Sequence, residues 1–184
     1  MKNVIFAFML MLSVLSFAQD KSNKKFQFGI SYSLTNDDEL YKKPLSFYAN
    51  YQVKKLDKID INAGLKVFYF GTKESENFTN KIGFNPNASA SYYFAKNKLN
   101  ANLAIGYYFD NATFKPTPSI FFPSQNQSIK TSGLTFAPGL KYFVHPNIFI
   151  DTNVTFILAT TKYELGISES NNNAYFNIGA GIAF

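Results

Sequence analysis

Asp60, Lys66, Lys141 and Asp151 each sit on the polar phase of a segment in which apolar and polar residues alternate. Charges that share one enclosed face must neutralise one another, because an unpaired charge taken out of water is costly. Centring a turn on Pro146 leaves Lys141 and Asp151 equidistant from it, so these two are expected to pair across adjacent strands. Their expected role is structural, with a proton or ion path as the alternative. Groups suited to catalysis are scarce. The one histidine, His145, precedes Pro146 in a turn with no evident acidic partner, and a general base needs one within reach. No catalytic residue, cofactor or metal site is therefore expected, the chain having no cysteine and a single histidine.

The elements that would carry these charges begin after residue 18. Lys2 precedes an apolar stretch over residues 4–15 and then Ser16-Phe17-Ala18, the composition of a secretory signal peptide with small residues at the cleavage site. The apolar run is too short to cross about 30 Å of hydrocarbon as a helix. Residues 19–184 then form one domain. An exported domain without cysteine has no disulfide staples, and a lipid surrounding is one substitute. The formal net charge of +6 comes from lysines scattered over turns and loops rather than from a basic stripe, which argues against nucleic acid and suits anionic lipid headgroups.

Beyond residue 25 the chain repeats with period two, the strand signature. Leu99, Ala101, Leu103, Ile105, Tyr107 and Phe109 share one face, opposed by Asn100, Asn102, Ala104, Gly106, Tyr108 and Asp110. Residues 59–70 and 148–159 behave the same way, and further strands are expected over 26–34, 45–53, 82–95, 132–144 and 174–184. The total is eight. Expected connections alternate between long (35–44, 72–81, 111–131, 166–173) and short (54–58, 96–98, 145–147), the habit of a transmembrane barrel. Most expected strands reach about ten residues, as a tilted membrane span requires. Asn, Ser, Gly, Asp and Lys on the second face would be wrong for a dry core, so the apolar face is expected to meet lipid and the polar face a lumen. Tyr69, Tyr107 and Phe109 near outer ends, and Tyr92, Phe94, Tyr142 and Phe184 near inner ends, read as interfacial girdles. Pro86 and Pro138 interrupt this pattern and are expected at bulges. The architecture is all-β: an eight-stranded antiparallel up-and-down transmembrane β-barrel.

The final segment carries Asn177, Gly179, Ile182 and a terminal Phe184, which resembles the assembly signal of outer-membrane barrels. The chain as a whole resembles the small bacterial outer-membrane β-barrel family that includes the OmpA membrane domain, OmpX and the porin-like barrels of Bacteroidetes. That resemblance implies an integral protein of the Gram-negative outer membrane. It also implies escort by periplasmic chaperones, insertion by the barrel-assembly machinery, and outer-membrane lipids as surroundings, with a monomer expected. The longest connection, 111–131, holds Phe114, Phe121 and Phe122; apolar residues in an external loop usually cover something. Three roles follow as expectations: a non-enzymatic barrel serving envelope integrity or surface-loop interactions, a narrow conduit or binding barrel for small hydrophobic molecules, and, least favoured, a lipid-modifying enzyme of the outer leaflet.

Overall fold

A computed structural model describes residues 25–35, 41–73, 77–95, 98–115, 127–164 and 166–184. The expected signal peptide, residues 1–18, lies outside them, as do Phe121 and Phe122 of the long loop. The described chain forms eight strands: β1 Phe26–Ser33, β2 Leu45–Leu56, β3 Ile59–Phe70, β4 Lys81–Phe94, β5 Leu99–Phe114, β6 Gln127–His145, β7 Ile148–Tyr163 and β8 Ser168–Ala183. Each pairs antiparallel with its sequence neighbour, and β1 closes on β8. A closed ring satisfies every backbone ladder without an edge, the condition for strands to enter lipid.

Side chains sort by phase. Leu103, Ile105, Tyr107 and Phe109 of β5, Leu134, Phe136, Leu140 and Tyr142 of β6, and Ile150, Phe156 and Leu158 of β7 are all exposed on the outside. Gln27, Asn62, Asn100, Lys141, Asp151 and Asn177 are buried inside. The expected girdles stand on the outer surface: Tyr69, Tyr107 and Phe109 at one end, Tyr92, Phe94 and Tyr142 at the other. Phe184 stacks on Phe26 and Phe28 across the β1–β8 seam, at 6.2 and 5.6 Å between ring centroids.

Two expectations are corrected. Pro86 and Pro138 mark neither bulges nor strand ends. Pro86 faces Leu65 in an unbroken register with β3, and Pro138 faces Leu103 on β5. On the other side of each proline the ladder skips two pairs and resumes in the same register, at Asn87–Gly106 and Gly139–Asn153. Each proline thus removes one donor without shifting its strand. The bulges occur instead at Gln52/Lys54 and Phe143/His145, beside the inner hairpins. One of those hairpins turns on Asp57, whose φ of 50° is the left-handed conformation that a tight hairpin needs and that Asp tolerates.

The second correction concerns the outer connections. Residues 168–173, expected as loop, belong to β8 and pair with β7 as far as Lys162–Ser168, leaving only residues 164–167 as a connection, turned by Gly166 at φ 82°. Strands β5 and β6 likewise run on to Phe114–Gln127. The run Ser168-Glu169-Ser170-Asn171-Asn172-Asn173 is polar on both faces because both faces stand in water above the membrane. Alternation therefore stops where the lipid stops, although the ladder continues.

Candidate functional site

The lumen is filled in three tiers, each set by inward positions on several strands. At the outer end Tyr41, Phe68, Phe70, Tyr108, Ile157 and Tyr175 form a buried cluster. Edge-on contacts knit it together: Phe68–Tyr108 at 5.7 Å, Phe70–Tyr175 at 6.1 Å and Tyr41–Phe70 at 6.4 Å between centroids. Lys81 lies 3.4 Å from the Asp110 carboxylate, which also accepts the Tyr108 hydroxyl. The Lys81 ammonium sits 4.5 and 4.7 Å from the centroids of Phe70 and Tyr41, so ring faces and a carboxylate replace its water. Phe114, at the end of β5, stacks at 4.9 Å on Phe78, which packs edge-on against Tyr41 at 6.4 Å. Phe114, expected in a loop, thus belongs to β5 and joins the outer aromatic cluster through Phe78.

The middle tier is polar. Tyr48 donates to Asp151 at 2.7 Å, and Lys66 donates to Thr155 at 3.5 Å with its ammonium 4.8 Å from the centroid of Phe68. The Asn177 amide donates to Asn153 at 2.9 Å, Thr155 at 3.1 Å and the Tyr175 carbonyl at 2.9 Å, while its oxygen accepts Ser33. Tyr48, Lys66, Asn85, Lys141 and Asp151 are among the residues around a cavity of about 70 Å³, room for roughly two waters at bulk volume. Asn85, on the cavity wall, has a buried side-chain oxygen without a protein partner, which makes this tier suited to water.

The inner tier is aromatic again. Phe143 and Phe149 lie 5.5 Å apart, and Tyr93 stacks on Phe143 at 6.3 Å. Glycines make room for the rings. Gly29 is directly opposite Tyr48 and Gly181 directly opposite Phe149, and a β-carbon at either position would overlap the facing ring.

All four expected lumen charges point inward, with Asp60, Lys141 and Asp151 buried. Lys141 and Asp151 occupy one rung of the β6–β7 ladder, as turn counting requires. They do not, however, form an ion pair. The Lys141 ammonium reaches past its neighbour to donate to Gln27 on β1, and lies 5.0 and 5.7 Å from the centroids of Phe149 and Tyr48. Asp151 takes the Tyr48 hydroxyl in its place. A long lysine chain in a narrow lumen spans the axis, whereas aspartate stays near its own strand; neutral groups therefore bridge the charges. Tyr93 lies at the inner end, close to Asp60 and Gln27.

The sequence pattern does not mark Lys81–Asp110, the one ion pair among the described residues, because the alternation there begins only at Ile82 and leaves Lys81 in the expected 72–81 loop. It also leaves Gln27, Tyr48 and Tyr93 unmarked, although the alternation of their strands assigns them inward. His145 is exposed at the inner turn and accepts the Asn147 backbone N–H at 3.3 Å. Of the terminal motif, Asn177 and Gly179 face the lumen and Phe184 the outside, in contact with β1.

No family model and no curated protein matches the sequence. Solved structures do match the fold. Ail, the attachment invasion locus protein of Yersinia pestis, aligns with a TM-score of 0.57 and 17% identity over 87% of this chain and 97% of its own. Neisserial surface protein A aligns at 0.53 and 15%, covering 86% and 96%. The N-terminal β-barrel domain of Pseudomonas aeruginosa OprF aligns at 0.52 and 14%, covering 88% and 98%. Closed ring, lipid-facing exterior, polar plugged lumen and these likenesses converge: the chain has the fold of the small eight-stranded β-barrels of bacterial outer membranes.

Proposed function

We propose that the chain is a non-enzymatic, monomeric outer-membrane protein whose barrel is a rigid anchor and whose working surface is the outer rim and its loops. The observation that carries this reading is the lumen: a small polar cavity with a layer of Tyr41, Phe68, Phe70, Tyr108 and Tyr175 above it and of Tyr93, Phe143 and Phe149 below it. Two aromatic layers around a small polar space argue against a conduit for hydrophobic solutes through the lumen. Strands β5 to β8 are longer than β1 to β4, so one side of the barrel projects polar sheet beyond the membrane, as a platform for partners. Surface attachment, which the name of Ail records for that protein, is the interaction role this platform favours over a purely structural one.

The proposal includes a cleaved signal peptide over residues 1–18, periplasmic chaperone escort, and recognition of Asn177, Gly179, Ile182 and Phe184 by the barrel-assembly machinery. Kinship with the porin-like barrels of Bacteroidetes belongs to it too, on the sequence resemblance alone. The monomer is supported by ring closure, which leaves no lumen-wide edge for pairing. The test is conductance across a planar lipid bilayer, with a gel that separates folded from boiled protein as the check on insertion. Folded protein without discrete openings is expected. Steady conductance, or saturable uptake of a hydrophobic solute by vesicles, would overturn the plugged-anchor reading in favour of a conduit.

A further inference from the structure

Lys130 on β6 and Lys162 on β7 are direct cross-strand partners, both exposed on the outer surface. Side chains so placed have β-carbons about 5 Å apart, and like charges at that distance repel. Among the described residues nothing nearby offsets the repulsion. On the same rung β5 presents Asn111 and β8 presents Ser168. The two carboxylates in reach are turned elsewhere: Glu164 accepts the Ser128 backbone N–H at 3.0 Å and Glu169 accepts the Tyr163 hydroxyl at 3.1 Å. Neither lysine has an ion pair or side-chain hydrogen bond among the described residues.

The position of the rung says what would fill it. Going up the outer face of β6 and β7, Phe136–Phe156 and Leu134–Leu158 are apolar, Ser132–Thr160 carries hydroxyls, and Lys130–Lys162 follows. The apolar stretch of β6, from Val144 to Leu134, covers about 26 Å of barrel height at a rise of about 3.4 Å and a tilt near 40°, close to the roughly 25 Å of such barrels. Lys130 is four residues above Leu134, about 10 Å higher by the same measure. Its flexible stem can bend back toward the interface, which puts both ammonium groups in the headgroup layer on the side that faces lipid. Water and salt weaken the repulsion but supply no counter-charge; a dianionic headgroup bridging the two ammoniums would form two charge-assisted contacts, with Ser132, Thr160, Asn111 and Ser168 as further polar partners.

We propose that Lys130 and Lys162 form a binding site for the phosphate headgroup of an outer-leaflet lipid. The site rests on the membrane orientation given above and adds to it a defined lipid contact on the β6–β7 side of the rim.

The full mature chain, folded in phosphatidylcholine nanodiscs, would be titrated with phosphatidic acid as the phosphomonoester probe, while amide resonances of residues 130–132 and 160–162 are followed. Saturable shifts confined to this rung are expected. Lys130→Glu should weaken the response about tenfold, roughly the loss of one charge-assisted contact, while leaving the barrel folded, since it turns the repelling rung into an attracting one. Lys162→Gln should weaken it comparably. Inorganic phosphate in plain phosphatidylcholine discs should produce no saturable shift. An undiminished response in Lys130→Glu overturns the site, and saturation by inorganic phosphate overturns its assignment to lipid. A wild-type barrel that folds but does not respond overturns the site alone, whereas a chain that never acquires the mobility of a folded barrel overturns the membrane reading beneath it.

Discussion

Replacing Asp151 by Asn probes the tier on which the lumen depends. Asp151 is the carboxylate to which both buried ammonium groups, Lys66 and Lys141, are coupled. Lys141 is 5.7 Å from the Tyr48 ring centroid, and that ring's hydroxyl is 2.7 Å from Asp151. The two groups are not in ion-pair contact; for separations of about 5–10 Å and an effective dielectric constant near 20, Coulomb's law gives roughly 1.5–3.5 kcal/mol of attraction. Asn preserves the shape and the acceptor for Tyr48 but removes the charge. Breaking a buried pair usually costs about 3–5 kcal/mol; with water in the cavity the loss should be about 2–4 kcal/mol. At a urea slope of about 2 kcal/mol per molar, the unfolding midpoint should fall by roughly 1–2 M. The assay is urea unfolding of the vesicle-inserted barrel, read by the gel shift between folded and unfolded forms. Adding Lys141→Gln to the variant should recover at least half of the loss. A midpoint unchanged within about 0.3 M would mean that bulk water screens the tier, and absence of rescue would mean that charge balance is not what Asp151 supplies.

Gly181→Ala should cost about 1–3 kcal/mol, because its β-carbon would collide with Phe149 and crowd the Phe28 carbonyl in a ladder unable to retreat. Gly71→Ala, where the nearest atoms are 3.6 and 4.0 Å away, should stay within about 0.5 kcal/mol of wild type; equal urea midpoints for the pair would refute the packing argument. Pro138→Ala restores a ladder donor toward β7 and should stabilise by about 0.5–1.5 kcal/mol, with slowed amide exchange at the new site; a lower midpoint would contradict this. Phe184→Ser should reduce the fraction of chain reaching the outer membrane severalfold while changing spontaneous insertion into vesicles little. Parallel loss in both assays would assign Phe184 to packing against Phe26 and Phe28 rather than to recognition.

The wall was legible because lipid reads side chains one at a time: Leu103, Ile105 and Tyr107 had to alternate with Asn102, Ala104 and Gly106 whatever the rest of the chain did. Inward placement of Asp60, Lys66, Lys141 and Asp151 followed from the same phase, and the shared rung of Lys141 and Asp151 from counting out of the turn. Strand ends were less legible. Gln127, Ser168 and Tyr163 lie in ladders that rise into water, where neither face needs to be apolar and the sequence carries no period.

Phase along a strand is a local property, so the sequence by itself determined eight strands, their order, their faces and the membrane that surrounds them. Which lumen groups meet is not local. Lys141 donates to Gln27, 114 residues away, and Tyr48 donates to Asp151, 103 residues away, because ring closure brings β1 and β2 across a lumen only a few side chains wide. Only that closure decided that Gln27 and Tyr48 meet the charges of β6 and β7 and that aromatic layers flank the polar tier on both sides.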